Sequence, residues 1–338
     1  MALVSRPRVT VLGAGCIGAW VGGMLARAGC VVTLIGRPRL RDAVGSGGLH
    51  VAALGRRAAS VSLSVVVGAE GAEDVDVLIV AVKGRDTRTA AESVRPYLRP
   101  DTVVVSLQNG LRNPERLRAA LPGHRVVPGM ISFNVVWDEA PGGGARFRQL
   151  TSGPVALEAG GAPGVVAALR AVGVDVATVT DMQAVQWSKL VLNLNNAINA
   201  LSDLPLAEQL SRRGYRRILA AAMDEAWSVM DAAGVCTANL GRMRPRLAPR
   251  ILVLPDWLFR VLAASMIRID PAARSSMADD LTRGRRTEVL DINGEIVSLG
   301  ERVGIPTPVN ARLVALVQVA ESAAAGPPGL APENLSVP

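Results

Sequence analysis

The sequence predicts an α/β domain with a mainly parallel sheet, followed by an all-α domain. Short β-branched runs alternate with helical patterns up to about residue 180, which is typical of strands joined by crossover helices. From Asp181 onward, helical periods replace the strands. A chain of 338 residues is long enough for two domains. We therefore predict an α/β domain over residues 1–180, a helical domain over 181–325 and a loose tail over 326–338.

The composition narrows the classes of partner. Hydrophobic residues make up 49% of the chain and charged residues 20%, which supports a large core and argues against disorder. No apolar run reaches the roughly 18–20 residues that span a bilayer, so we expect no membrane partner. The net charge of +8 raises nucleic acid as a partner, but the arginines are dispersed and aromatic residues are few, so we expect none. Three cysteines without metal spacing, and no signal-peptide pattern, predict a cytoplasmic protein without a metal.

A glycine-rich turn follows the first predicted strand, Val9–Leu12. In the G-x-G-x-x-G pattern, Gly13 permits the tight turn, Gly15 lets the backbone approach a pyrophosphate, and Gly18 lets the next helix pack on the strand. The N-terminus of that helix then faces the phosphates. We therefore expect a Rossmann-type domain in which the whole turn binds a dinucleotide, through Gly13, Ala14, Gly15, Cys16, Ile17 and Gly18.

The end of the second predicted strand, Val31–Ile35, bears on which dinucleotide is bound. An acidic residue there would hold the ribose 2′-hydroxyl of NAD, but the chain continues Gly36-Arg37-Pro38-Arg39. Because a guanidinium suits a 2′-phosphate, Arg37 favours NADP. The alternative is that Arg37 is a solvated arginine at a strand end, and Arg39 and Arg41 are weaker candidates for the same task.

Two further strands deliver polar residues to the same edge of the predicted sheet. Lys83 follows the strand Val77–Val82, and Asn109 follows the strand Val103–Leu107. Open α/β sheets bind ligands at the carboxyl ends of their strands, so both residues are candidate cofactor contacts. The chain has only two lysines among its 37 Lys and Arg residues, which could also be chance. Asn109 precedes a glycine, so the alternative for it is an ordinary turn.

The other lysine, Lys189, lies in the first helical pattern of the second domain, predicted over Asp181–Leu201. On one continuous helix Lys189, Asn193 and Asn196 share a face. Asparagine is a poor helix former, so this stripe indicates a polar ligand or neighbour, unless it marks an Asn-rich helix end. A lysine whose pKa is lowered by burial could protonate the alkoxide that forms when a ketone is reduced.

Two polar residues near the C-terminus, Ser276 and Glu288, are a further candidate pair. Twelve residues of straight helix would separate them by about 18 Å, so they can serve one site only if the helix breaks between them or begins after the serine. Capping of a helix is an alternative role for the serines at 275 and 276. For Glu288 the alternative is a solvated helix acid beside Arg285 and Arg286.

Taken together and in order, these motifs resemble the ketopantoate reductase family over roughly residues 8–318. The motifs are Gly13-Ala14-Gly15-Cys16-Ile17-Gly18, Lys83-Gly84, Gln108-Asn109-Gly110, Trp187-Ser188-Lys189-Leu190-Val191-Leu192-Asn193, Arg274-Ser275-Ser276-Met277 and Thr287-Glu288-Val289-Leu290-Asp291-Ile292-Asn293-Gly294. The resemblance implies a Rossmann-type domain followed by an all-α domain like the C-terminal domain of 6-phosphogluconate dehydrogenase. It also implies reduction of 2-dehydropantoate to (R)-pantoate with NADPH, a step toward pantothenate and coenzyme A. A homodimer is compatible with the resemblance.

The resemblance assigns roles to the candidate residues. Lys189 would donate the proton to the ketone oxygen, and Glu288 would support the substrate and the cofactor ribose. Asn193 would hold polar groups of the substrate, as would Asn196 or Asn199 after a local shift of the chain. Ser276 would contact the substrate carboxylate. The cofactor contacts would be Lys83, Asn109 and, at the 2′-phosphate, Arg37.

Two positions depart from the family pattern and leave the substrate open. Ala197 stands where a second asparagine is common, and Leu206 stands where the family often has an asparagine for substrate. A reductase of another small 2-oxo or 3-oxo acid, or the oxidation of the hydroxy product, is therefore an alternative. A third possibility is a protein that binds NADP without catalysis, although binding alone requires neither Lys189 nor Glu288.

Overall fold

The computed structural model describes residues 6–140, 143–239, 244–263 and 273–337. The chain divides into two compact units, Met1–Met182 and Gln183–Pro338. The first unit is α/β and the second is helical. The predicted fold class is thereby confirmed.

The first unit contains twelve strands and five α-helices in its described part. The strands are β1 (Arg8–Leu12), β2 (Val31–Ile35), β3 (Leu49–Ala52), β4 (Ala59–Val61), β5 (Ser64–Val66), β6 (Val77–Val80), β7 (Val103–Ser106), β8 (Val126–Ile131), β9 (Val135–Glu139), β10 (Ala145–Gln149), β11 (Val155–Glu158) and β12 (Val176–Val179). The helices are α1 (Cys16–Arg27), α2 (Pro38–Gly47), α3 (Thr87–Val94), α4 (Asn113–Ala120) and α5 (Pro163–Ala171).

Eight of these strands form the main sheet, in the order β12-β11-β8-β7-β6-β1-β2-β5. Every neighbouring pair is parallel except β8 and β11. The remaining strands form a smaller sheet in the order β4-β3-β10-β9, in which β9 and β10 pair antiparallel. The sheet order changes direction around β1 and β6, which is where open α/β sheets bind ligands.

The main sheet is buried on both faces, as its continuous apolar strands predict. Along β6, Val77 and Ile79 belong to one apolar cluster, whereas Leu78 and Val80 belong to a second. Helices α1 and α5 contribute to the first cluster, and α3 and α4 contribute to the second. Side chains alternate across a strand, so each face of the sheet acquires its own core.

The second unit contains ten α-helices in its described part. They are α6 (Met182–Asn193), α7 (Asn195–Ser202), α8 (Leu206–Ser211), α9 (Arg213–Ala232), α10 (Ala248–Leu252), α11 (Asp256–Ala263), α12 (Ser276–Thr282), α13 (Val289–Val303), α14 (Pro308–Ala323) and α15 (Pro332–Leu335). Helix α9 packs against α10, α13 and α14, and α12 packs against α7.

The single helix predicted over Asp181–Leu201 is wrong, because the chain forms two helices separated at Leu194. The amide of Leu194 bonds to the carbonyl of Val191, three residues back, at 3.3 Å. An α-helix would require a hydrogen bond to the carbonyl four positions back. The backbone is therefore tighter at Leu194, and α7 begins as a separate helix after it.

The loose tail predicted over residues 326–338 is also wrong. The backbone of Leu330 donates to the carbonyl of Leu201 at the end of α7 (2.7 Å) and accepts from the Tyr215 hydroxyl (2.8 Å). Leu335 on α15 is fully buried. The last carbonyls of a helix need partners from elsewhere, and the tail supplies one to α7 while burying its own apolar residue.

Candidate active site

Four parallel strands end together at one edge of the main sheet. The residues Leu12, Ile35, Val80 and Ser106 form a single row across β2, β1, β6 and β7. The glycine-rich turn and the segments that carry Arg37, Lys83 and Asn109 all follow this row directly. The structure therefore brings the predicted cofactor residues of the first unit to one edge.

The glycine-rich turn has the backbone geometry that its spacing predicts. Gly13 has φ +96°, and a Cβ there would lie 2.6 Å from Val82 Cγ1. A Cβ at Gly18 would lie 2.3 Å from the Gly13 carbonyl oxygen. Gly15, the residue before α1, is exposed and has no atom within 4 Å of where its Cβ would stand. The turn is thus closed toward the sheet and open toward a ligand, which fits a dinucleotide pyrophosphate at the start of α1.

The three arginines after β2 have different surroundings. Arg37 is exposed and immediately precedes α2. The guanidinium of Arg39 lies over the ring of Trp137, 4.8 Å from its centroid, and Arg41 pairs with Asp42 at 2.8 Å. Two of the three side chains are thus engaged within the protein, which leaves Arg37 the better candidate for a 2′-phosphate.

Lys83 and Asn109 are both partly buried, each in the segment that follows a strand. Lys83 precedes a short 3-10 helix, Gly84–Asp86. Asn109 precedes Gly110, whose φ of +86° requires the freedom of glycine. Asn109 therefore lies next to a glycine with positive φ and also at the carboxyl edge of the main sheet. A role in the turn and a role as a cofactor contact are compatible.

In the second unit, Lys189 lies on α6 and is partly buried. Burial lowers its pKa from 10.5 to about 8, and the negative charge of Glu288 partly opposes this shift. Glu288 immediately precedes α13 and only 7% of its surface is exposed. The solvated-acid alternative for Glu288 is therefore wrong. A lysine with a pKa near neutrality, next to a buried carboxylate, is suited to proton transfer.

The break at Leu194 changes the predicted polar stripe. Asn193 ends α6 four residues after Lys189 and keeps the predicted face, whereas Asn196 lies in the first turn of α7 and no longer shares one helix with Lys189. Both asparagines are partly buried. Asn196 also accepts a hydrogen bond on its backbone carbonyl from the Ser275 hydroxyl at 3.2 Å, which ties α7 to the start of α12.

The other two asparagines of this segment form hydrogen bonds within the protein, a role not predicted from the sequence, so the alternative that Asn199 contacts the substrate is wrong. Asn195 and Gln209 exchange hydrogen bonds of 3.2 and 2.9 Å. The fully buried Asn199 donates to Leu204 O (2.8 Å) and accepts from the backbone amide of Ser275 (2.8 Å). The available signal was their position in an apolar run, because a buried amide must have hydrogen-bond partners.

Ser276 and Glu288 do not lie on one helix, as the distance argument requires. Helix α12 begins at Ser276 and ends at Thr282, and α13 starts after Glu288. Ser275 caps α12 by accepting from the amide of Ala278 at 3.2 Å. The capping interpretation thus holds for Ser275, while Ser276 in the first turn of α12 is exposed.

Comparison with known proteins connects these two units to one family. The sequence model described as "Ketopantoate reductase PanE/ApbA" matches residues 9–160, and the model "Ketopantoate reductase PanE/ApbA C terminal" matches residues 181–321. A 2-dehydropantoate 2-reductase of Archaeoglobus fulgidus is 31% identical over 328 residues, which cover 93% of this chain and 98% of the relative. The chain belongs to the ketopantoate reductase family.

Solved structures agree with the membership. A ketopantoate reductase of this family from Ralstonia eutropha is 33% identical, with a TM-score of 0.78, over 94% of this chain and 99% of that one. D-mandelate dehydrogenase, solved with NADH and anilino(oxo)acetate, shares the fold at 22% identity and a TM-score of 0.76, over 94% and 99% of the two chains. A ketopantoate reductase from Staphylococcus aureus, described as dimeric, shares it at 17% identity and a TM-score of 0.68, again over 94% and 99%.

Family membership makes this ketopantoate reductase homologue an oxidoreductase that acts on a CH–OH group with a dinucleotide cofactor. A small-molecule substrate follows from the family. Within the described residues, none of the helices has the length and apolar content needed to cross a membrane. The same part of the chain holds no group of three or more His, Cys, Asp or Glu side chains placed to bind a metal ion.

Proposed function

We propose that this protein reduces 2-dehydropantoate to (R)-pantoate with NADPH. The observation that carries the proposal is the pairing of Lys189, whose pKa is lowered to about 8, with the buried Glu288. Curated relatives from Archaeoglobus fulgidus, Pyrococcus horikoshii and Halobacterium salinarum, which match 93%, 94% and 93% of this chain, are named 2-dehydropantoate 2-reductase. A chain that only bound a nucleotide would need neither of these two residues.

The first unit would hold the cofactor. The open face of Gly15 and the start of α1 would receive the pyrophosphate, and Lys83 and Asn109 would contact the nucleotide from the neighbouring strand ends. The exposed Arg37 favours NADPH, because a guanidinium pairs with a 2′-phosphate and no acid stands there to bind a 2′-hydroxyl. When bound, NADPH supplies a hydride to the carbonyl carbon of the substrate.

The second unit would supply the proton and hold the substrate. As negative charge develops on the carbonyl oxygen, the Lys189 ammonium donates a proton to it and becomes a neutral amine. The Glu288 carboxylate favours the charged form of Lys189 before the reaction. Asn193 and Asn196 would hydrogen-bond polar groups of the substrate, and Ser276 in the first turn of α12 would contact its carboxylate.

A second candidate is the reduction of another small 2-oxo or 3-oxo acid. The observation that favours it is Ala197, which is fully buried on α7 and offers no polar group at a position where the family commonly has asparagine. Leu206, the first residue of α8, likewise supplies no side-chain hydrogen bond. Fewer polar groups would suit a substrate without the 4-hydroxyl of 2-dehydropantoate.

The proposal is tested by mixing the purified protein with NADPH and 2-dehydropantoate and following the loss of reduced-nicotinamide absorbance. We expect NADPH to be consumed in amounts equal to the pantoate formed, and NADH to support little activity. A panel of 2-oxo and 3-oxo acids should be reduced more slowly. Absence of NADPH consumption with every member of the panel would exclude a reductase.

A homodimer is proposed as the assembly, because the Staphylococcus aureus relative is described as dimeric. Light scattering coupled to size exclusion measures the mass directly, and a monomer mass at micromolar concentration would rule the dimer out. A cytoplasmic location stays a prediction from the sequence.

A further inference from the structure

Four side chains lie behind the two segments that carry Lys83 and Asn109. They come from the starts of α3 and α4 and from the residue before Asn109, and we refer to them together as the edge clamp. The edge clamp consists of Thr87, Gln108, Asn113 and Arg116. Thr87, Gln108 and Asn113 are all buried, at 0%, 6% and 1% exposure.

The edge clamp holds the backbone on both sides of Lys83. Gln108 Nε2 donates to the carbonyl of Val82 at 2.9 Å, and Arg116 Nη1 donates to the carbonyl of Gly84 at 3.1 Å. Both donors come from the segment and helix that follow the neighbouring strand, β7. The position of Lys83 is therefore fixed by the part of the chain that carries Asn109.

Asn113 connects the two segments to each other. Its Nδ2 donates to the carbonyl of Asn109 at 2.6 Å, while its Oδ1 accepts from Thr87 Oγ1 and from Arg116 Nη1, both at 3.1 Å. Gln108 Nε2 also donates to Thr87 Oγ1 at 2.7 Å. Breaking any of these hydrogen bonds would leave a buried polar group without a partner and without access to water. Because this is energetically unfavourable, the groups keep their geometry.

We propose that Asn113 is a positioning residue for nucleotide binding, which fixes Asn109 relative to Lys83 through the edge clamp. This inference rests on the proposed function, in which Lys83 and Asn109 contact the cofactor. Asn113 itself is buried beneath the segments that carry Lys83 and Asn109, and it acts through those two residues. Groups that are held in place before binding do not lose conformational freedom on binding, so the edge clamp raises affinity without touching the ligand.

The test is the substitution Asn113→Asp, which keeps the shape and the acceptor toward Thr87 and Arg116. It replaces the donor toward the Asn109 carbonyl with an oxygen. We expect the Kd for NADPH, measured by fluorescence titration of the reduced nicotinamide, to rise about tenfold, the scale of one well-placed buried hydrogen bond. The Kd for NADH should rise by the same factor, because the edge clamp lies away from Arg37. The kcat at saturating NADPH should stay within about twofold, since Lys189 is unaffected.

The matched control is Asn134→Asp, the same change of charge at an exposed position before β9. It should leave both Kd values unchanged. If Asn113→Asp does not fold, Thr87→Val keeps the shape of Thr87 while removing its bonds to Asn113 and Gln108, and should raise the Kd about threefold. An unchanged Kd for NADPH in the folded variant, or a fall in kcat with the Kd unchanged, would overturn the inference.

Two further variants separate failure of this inference from failure of the proposed function. Lys83→Ala and Asn109→Ala should each weaken NADPH binding. If neither does, the proposed cofactor contacts are wrong. If both do while Asn113→Asp and Thr87→Val leave the affinity unchanged, the contacts stand and the positioning role of Asn113 is excluded.

Discussion

We expect kcat/KM for the reduction of 2-dehydropantoate to fall as the pH rises through about 8. In the folded protein burial lowers the pKa of Lys189 to about 8, and only the protonated amine can act as the acid. At that pKa about nine-tenths of Lys189 is charged at pH 7 and about one-tenth at pH 9. The reduction should therefore slow about eight- to tenfold between these values, whereas oxidation of pantoate, which needs the neutral amine, should accelerate over the same range.

Substitution of Lys189 tests whether this residue causes the pH dependence. Lys189→Ala should lower kcat by about 10²–10⁴, the usual contribution of general-acid catalysis, and should abolish the inflection near pH 8. Lys189→Arg is the matched control, because it keeps the positive charge but does not release a proton in this range. It should be nearly as slow as the alanine variant if proton transfer, and not charge alone, is the contribution of Lys189.

Removing the charge of Glu288 is a second test of the role of Lys189. Glu288→Gln removes the carboxylate that raises the pKa of Lys189, so the inflection should move to lower pH. Stopped-flow measurement of kcat/KM against pH reads the pKa of the free enzyme. A wild-type profile that stays flat up to pH 10, or an inflection that Glu288→Gln does not move, would refute the assignment of the acid.

Two other predictions concern the cofactor and the stability of the second unit. Arg37→Glu should raise the KM for NADPH about 10- to 100-fold, because a charge-assisted contact is lost, and should leave the KM for NADH nearly unchanged. Arg41→Glu is the control. Equal increases in KM for both cofactors would exclude a contact between Arg37 and the 2′-phosphate. Arg216 on α9 is fully buried and donates to the carbonyls of Leu252 (3.0 Å) and Ser211 (2.9 Å). Arg216→Met should lower the free energy of unfolding by about 3–5 kcal/mol, because it removes a fully buried guanidinium together with its bonds to these carbonyls and to Asp256. The exposed Arg212→Ala should change the free energy of unfolding by about 0.5 kcal/mol or less. Equal melting temperatures for the two variants would contradict this.

The parts of the site that could be predicted from the sequence depend on local geometry. Gly13 and Gly18 were predicted because a strand, a tight turn and a helix must be consecutive, and their backbone in the structure has the required form. Lys83 and Asn109 were placed at one edge because parallel strands end together. Lys189 is predicted to be an acid because a lysine in an apolar helix has its pKa lowered by burial, and the structure shows that lowering of the pKa.

The parts that could not be predicted depend on residues far apart in the sequence. Asn199 takes its role from Ser275, which lies 76 positions away, and no local pattern contains that partner. The break at Leu194 separates Asn193 from Asn196, although the spacing alone suits one helix. The C-terminal segment is held by Tyr215, 115 residues before Leu330. Tertiary hydrogen bonds override local propensity at Asn199 and in the C-terminal segment, whereas the break at Leu194 is a local tightening of the backbone that the residue spacing does not indicate.

A competition experiment determines whether 2-dehydropantoate is the preferred substrate of this protein. The protein is given NADPH and an equimolar mixture of 2-dehydropantoate, 2-oxo acids without the hydroxyl, and 3-oxo acids, and the hydroxy acids formed are quantified by mass spectrometry. Under competition the product ratio equals the ratio of kcat/KM values. We expect pantoate to dominate the products, and faster formation of any other hydroxy acid would exclude 2-dehydropantoate as the preferred substrate.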